Sequence, residues 1–390
     1  MNRGSRHPAE RHLRHFRAPD EPDAEQRAWT ALERVYAERA PSQRQRPRLR
    51  LALALTVLAV AGAITLTPAG ATVHRWIDKA LGIRTAKSTL FSLAAPGRLL
   101  VSGANGAWTI AADGSKRRLG GWQQADWSPH GLYVAVAAND QLAALDPHGT
   151  VRWAIDRPAV HAPRWFYPSG YRIAYLSART LRVINGDGTG DRQLAAHVAN
   201  VAPSWRPGHP YELTYATDQQ TIITRDADTG QIQQALHLVA RPQQLAWSGD
   251  GKRLLVRLAT TAVVYNANGR PIAQVRAPGR TRLRDAELSP SGRTLALLTG
   301  EDLTVTELPP SPSASRKIFT GQGLSQVAWS PDGRWLLISW PAANQWIFTR
   351  ATGRPRIEAI SRVTQQLPGG KAGAYPHIDG WCCTSPPTIR

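Results

Sequence analysis

Two cysteines stand side by side at Cys382 and Cys383, and they are the only cysteines in the 390-residue chain. Adjacent thiols leave three chemistries open: a vicinal bridge through a strained eight-membered ring, a disulfide to another chain, or two free thiols. They exclude a disulfide framework, a four-cysteine zinc site and an iron–sulfur cluster. His7, His12 and His15 lack the spacing of a zinc loop and have no fourth ligand nearby, so no metal is expected there. The run Asp187-Gly188-Thr189-Gly190-Asp191 begins like an EF-hand but has no glutamate twelve positions in. A hairpin turn is its plainer reading.

Catalytic signatures are missing from the sequence. It contains no Gly-x-Ser-x-Gly elbow, no His-Glu-x-x-His pair and no Gly-Lys-Ser/Thr phosphate loop. The expectation is a chain without enzymatic activity and without a cofactor. Hydrolases that carry repeat folds of the kind described below add a separate catalytic domain, for which the stretch after the last repeat leaves no room.

Charge is the other chemical signal. Lys and Arg number 48 against 28 Asp and Glu, a net +20. The densest basic patch is Arg276, Arg280, Arg282 and Arg284, which suits phosphate or acidic wall polymers. A solvated loop is the bland alternative. With 42% hydrophobic residues, fourteen Trp and thirty-two Gly, the chain buries a large core and is not disordered throughout.

These residues are distributed over several segments. Leu51 to Val73 is uncharged and rich in Leu, Ala and Val; as a helix its 23 residues span about 34 Å, enough to cross a bilayer once. Arg44, Arg46, Arg48 and Arg50 precede it and only Arg75 and Lys79 follow closely. The positive-inside rule therefore places the N-terminus in the cytoplasm and the rest of the chain outside. The rival is a cleaved signal peptide, since Ala69-Gly70-Ala71 has the small-x-small form. Its n-region would be far longer than usual, so an uncleaved single-pass anchor at the cell membrane is preferred.

Residues 1–50 form the expected cytoplasmic arm, with an amphipathic helix over 21–39. Asp20 caps it, and Glu21, Pro22 and Asp23 suit its first turn. Ala24, Ala28, Leu32, Val35 and Tyr36 recur at helical spacing beside Trp29. So short a helix is marginal alone and needs the membrane surface, another copy or a partner. Trp29, Leu32 and Tyr36 are the candidate partner-binding residues.

The most specific pattern is repetition. Trp127-Ser128-Pro129-His130-Gly131 recurs with variation at Trp165, Trp205-Arg206-Pro207-Gly208, Trp247-Ser248-Gly249-Asp250-Gly251, Leu288-Ser289-Pro290-Ser291-Gly292 and Trp329-Ser330-Pro331-Asp332-Gly333. Each copy reads as strand, tight turn and strand: Pro presets φ, Asp or Ser tolerates the next position, and Gly takes the left-handed one. Apolar runs such as Leu336-Leu337-Ile338 follow, with a third strand about ten residues later. An incomplete unit at Pro96-Gly97-Arg98-Leu99-Leu100-Val101 precedes the six.

The pattern predicts an all-β fold, a β-propeller of about seven four-stranded blades, with six as the alternative. Seven blades over 91–365 average about 39 residues each, within the usual range, whereas six need about 46. Residues 74–90 are the expected linker and 366–390 the expected C-terminal tail. The repeated Trp is expected to pack between neighbouring blades rather than to form a stacking platform.

A Trp-Ser-Pro-Asp-Gly turn followed by an apolar strand at this period resembles the repeats of periplasmic TolB-type propellers and their WD-repeat-like bacterial relatives. The resemblance implies protein binding at one face of the disc or in its channel. The resulting expectation is a non-catalytic, membrane-anchored, extracytoplasmic scaffold for a protein or cell-wall polymer, with no nucleic-acid partner. The alternative is a transmembrane signalling or anti-sigma-like regulator whose cytoplasmic helix binds a partner.

Overall fold

The computed structural model describes residues 92–383 apart from 167–169, 310–314, 355 and 368–373. These residues build seven four-stranded antiparallel sheets, the blades of a β-propeller. Blades 2 to 7 are consecutive in sequence. Their inner strands are Gln124–Trp127, Val160–Trp165, Ser204–Trp205, Gln244–Trp247, Leu283–Leu288 and Gln326–Trp329.

Blade 1 is assembled from both ends of the described chain. Arg98–Ser102, Ala107–Ile110 and Lys116–Gly120 supply three strands, and His377–Cys382 supplies the inner one. Leu99 pairs with Trp381 and Arg98 with Cys382. This corrects the expected boundary, in which the propeller ended at 365 and the rest was tail. Without the closing strand, Arg98–Ser102 would present an unpaired edge although four of its five residues are buried. The blade-opening turn that is continuous elsewhere is cut open here, with Trp381-Cys382 on one side and Gly97-Arg98 on the other.

The second strand of each blade is buried along nearly its whole length because both of its faces are covered. Val134 and Val136 pack with Leu100, Ala107 and Leu119 of blade 1. Ala135 and Ala137, pointing the other way, pack with Val160, Trp165 and Ile173 of blade 3. Seven such clusters follow one another around the ring, one at each blade boundary. The core is therefore divided among the boundaries.

In blades 2, 5, 6 and 7 the repeated turn closes its hairpin by side-chain chemistry. The Ser330 hydroxyl accepts the Trp335 backbone N–H at 2.9 Å, and Ser128, Ser248 and Ser289 accept from Tyr133, Arg253 and Thr294 in the same way. Gly251 takes φ 65°, and a β-carbon there would collide with the Pro207 carbonyl of blade 4. Trp127, Trp165, Trp205, Trp247, Trp329 and Trp381 are all buried, and Leu288 takes their place in blade 6. Indole N–H groups reach back to the preceding blade: Trp205 to the Arg164 carbonyl at 2.9 Å, Trp247 to the Thr214 hydroxyl at 2.8 Å and Trp329 to the Glu287 carbonyl at 3.1 Å. The tryptophans are cement between blades.

Among the described residues no helix is long and apolar enough to cross a membrane. The expected anchor at 51–73 and the helix over 21–39 lie outside the described residues.

Candidate functional site

Antiparallel strands that alternate in direction give the ring two faces. Hairpins between first and second and between third and fourth strands share one, the turn face. The second-to-third turns and the connections between blades share the other, the loop face.

Between the faces runs the channel, and its inner strands solve an edge problem. Each leaves backbone groups without a strand partner, which would be costly where solvent is scarce. Side chains of the preceding blade occupy them. The residue just before the repeated aromatic accepts the backbone N–H of the next one: Asp126 from Trp165 at 2.6 Å, Ser204 from Trp247 at 3.1 Å and Glu287 from Trp329 at 2.9 Å. Two residues earlier, Gln124 accepts from Ala162, Asp285 from Val327 at 3.0 Å and Gln326 from Ile378 at 2.9 Å.

Desolvation pushes the Asp126 carboxyl up to about 6, against the pull of Arg164 and the Trp165 N–H. Desolvation also raises Asp285, and it lifts Glu287 well above the ordinary range, with the Asp285 charge adding to it. His377 is held above its usual value because its bond to Asp379, at 3.3 Å, outweighs its own desolvation. Its ring remains 61% exposed, so channel water reaches it even though protein surrounds it. These acids serve as backbone caps. Among the described residues no three His, Cys, Asp or Glu side chains are grouped to hold a metal ion.

The calcium-like run is a hairpin turn. Asp187 accepts from the Thr189 backbone N–H at 3.0 Å and from its hydroxyl at 2.7 Å. Asp191 is taken by Arg157 and Arg182, each at 2.7 Å, and by the Tyr175 hydroxyl at 2.6 Å. Desolvation opposes the Asp191 charge, yet these donors prevail and hold its carboxyl below the usual range.

On the turn face, Cys382 and Cys383 are joined to each other beside the cut-open turn of blade 1. Arg98 clamps blade 1 to blade 2, lying 4.9 Å over the Trp127 ring and donating to the Gly131 carbonyl at 2.7 Å. Arg206 repeats this on Trp247 and the Gly251 carbonyl, and also pairs with Glu212 at 2.8 Å. A pocket of about 350 Å³ beside it is lined by Arg206, Glu212 and Trp247 together with Gln233, Gln234 and Asn268.

The loop face differs. Arg276 ends the outer strand of blade 5, Arg280 ends a single 3-10 turn over Pro278–Arg280, and Arg282 and Arg284 lead into the inner strand of blade 6. All four are exposed. Arg157, Arg172, Arg179, Arg182 and Arg192 of blades 2 to 4 all pair with Asp, whereas among the described residues these four make no salt bridge. Arg257 lies beneath them, held by the side chains of Gln244 at 2.7 Å and Gln243 at 2.8 Å. Desolvation and the nearby Arg282 charge lower its proton affinity, with Asp285 opposing. A pocket of about 430 Å³ opens beside Arg284, lined by Gly300, Glu301, Gln322, Gly323, Leu324 and Ser325.

Of the residues singled out from sequence, Trp29, Leu32 and Tyr36 lie outside the described residues. The cysteine pair lies on the turn face and the arginine patch on the opposite one. Sequence reasoning missed the channel caps, although a polar residue precedes the aromatic at Asp126, Arg164, Ser204 and Glu287.

No family model and no curated protein matches the sequence. Solved structures do. Hsv2 of Kluyveromyces lactis matches at 14% identity with a TM-score of 0.54, over 68% of this chain and 96% of that one. Hsv2 of Kluyveromyces marxianus matches at 13% identity with a TM-score of 0.52, over 67% and 93%. At this identity the likeness establishes the seven-bladed fold and nothing of the ligand.

Proposed function

We propose that the chain is a non-catalytic binding scaffold, a propeller held outside the cell by a single N-terminal span at 51–73 and engaging a protein or an envelope polymer. The observation that carries this reading is the contrast between the channel and the loop face. The channel carboxyls of Asp126, Asp285 and Glu287 are committed to backbone N–H groups of the next blade, while the loop face between blades 5 and 6 presents four exposed arginines that make no salt bridge among the described residues. Rigid channel walls and an exposed charged face are what a binding surface needs.

Co-sedimentation of the full chain with isolated cell envelopes tests it. Saturable retention that weakens with salt, without chemical change in the envelope material, is the expected result. Turnover of that material would replace the scaffold with an enzyme. A second reading, signalling through the arm, is favoured by the apolar stripe of Trp29, Leu32 and Tyr36. In that case a cytoplasmic protein is captured and is lost on Trp29→Ala with Leu32→Ala.

A further inference from the structure

We propose that the loop face between blades 5 and 6 is the polymer-binding surface of the scaffold and that its ligand is a phosphodiester polyanion; this rests on the scaffold reading above. Residues 251–284 contain Lys252, Arg253, Arg257, Arg270, Arg276, Arg280, Arg282 and Arg284 and not one Asp or Glu. Folding sorts these cations. Arg253 is used internally, donating to the Gly292 carbonyl, and Arg257 is tied to Gln243, Gln244 and the Leu283 carbonyl. Arg276, Arg280, Arg282 and Arg284 are left facing solvent on one face.

Geometry and chemistry both favour phosphate. Arg282 and Arg284 flank the buried Leu283 and are both exposed, so two cations stand close together along the chain, matched to a ligand with repeated charges rather than one. All four cations are Arg, whose planar fork meets two oxygens of one phosphate at once. A phosphodiester keeps two unsubstituted oxygens and a full negative charge at every repeat. The pocket beside Arg284 adds the Gln322 side chain as a neutral donor, while the Ser325 hydroxyl on its wall already donates to Ser339 at 3.0 Å. The negative groups at this end are Glu301, on the pocket rim, Asp302, paired with Lys317 at 2.9 Å, and Asp285, whose oxygens already accept the Ala286 and Val327 N–H groups. Glu301 repels the polymer at one edge and steers it over the arginines.

The test is binding of synthetic poly(glycerol phosphate) to the full chain in detergent at 50 and 200 mM salt. Arg282→Gln with Arg284→Gln is compared with Lys252→Gln, an exposed cation of the opposite face. The double variant is expected to lose at least tenfold in affinity at 50 mM salt. Its logarithmic salt slope should fall by about 1.4, or 0.7 for each lost contact. Lys252→Gln should bind as the parent does. Equal binding by the parent and the double variant, both folded by circular dichroism, overturns the assigned face and leaves the scaffold reading intact. Preference for a polyuronate of equal charge overturns the phosphate assignment. Failure of the parent to bind the poly(glycerol phosphate) at all overturns the ligand class, whereas failure to be retained by whole envelopes removes the scaffold reading itself.

Discussion

The Glu287 carboxylate of blade 6 accepts the backbone N–H of Trp329 in blade 7 at 2.9 Å, joining two inner strands that share no ladder. The same step from one blade to the next is taken by Asp126 and Trp165. Glu287→Ala strands a buried donor, so a loss of about 1–3 kcal/mol is expected in denaturant unfolding, with Glu287→Gln recovering most of it. Equal stabilities for the two variants would mean that the cap has no energetic role.

The channel acids also set a pH dependence. Asp126, held up to about 6, binds its proton more tightly folded than unfolded. Its contribution is fully present below the unfolded carboxyl value of about 4 and is lost as pH rises through about 6. Asp285 and Glu287, also raised, act in the same direction, while His377, raised above about 6.5, loses its contribution at higher pH. Melting temperature should therefore fall between pH 4 and 6, and less steeply in Asp126→Asn. Identical slopes in parent and variant would exclude Asp126 as a source.

Trp329 fills the boundary between blades 6 and 7, so Trp329→Ala should cost about 3–5 kcal/mol. Trp329→Leu should cost clearly less, because blade 6 already uses Leu288 at that place. Chemical denaturation of both variants decides it. The prediction fails if Leu is no better than Ala.

Two glycines with similar φ separate clash from conformation. Gly251, at φ 65°, would press a β-carbon on the Pro207 carbonyl, whereas Gly230, at φ 77°, has open space. Gly230→Ala should cost about 1–2 kcal/mol from its left-handed backbone alone. Gly251→Ala should cost several kcal/mol more or prevent folding. Equal melting temperatures would contradict the packing of the turns against each other.

Much of the propeller is legible in sequence because one turn pattern recurs, with a Gly in every blade and the Ser in blades 2, 5, 6 and 7. The third strand expected about ten residues after each apolar run is found, for example, at Thr180–Asn185 and Asp302–Glu307. The closing strand escaped detection because the turn it needs is split between distant segments, so His377–Cys382 carries only the Trp of the motif. The caps were hidden for another reason. Asp126, Ser204 and Glu287 all accept a hydrogen bond but differ in type, and the same position holds Arg164, Ala246, Ala328 and Gly380 in the other blades, so no repeated residue marks it. The arginine patch was visible as composition, but its freedom from internal partners depends on where each strand delivers its Asp.

Ending the chain after Leu367 removes the inner strand of blade 1 and exposes the edge of Arg98–Ser102. The truncated protein should lose its single cooperative unfolding transition and expose apolar surface. A truncated chain that melts as the parent does would show that ring closure is dispensable.

An outward-facing scaffold on a membrane anchor is tested by protease digestion of intact cells or spheroplasts carrying tags at both ends. The expected result is digestion of the C-terminal tag from outside while the N-terminal arm stays protected and membrane-bound. Release of the protein with a new N-terminus near Ala71, or protection of both tags, would contradict it.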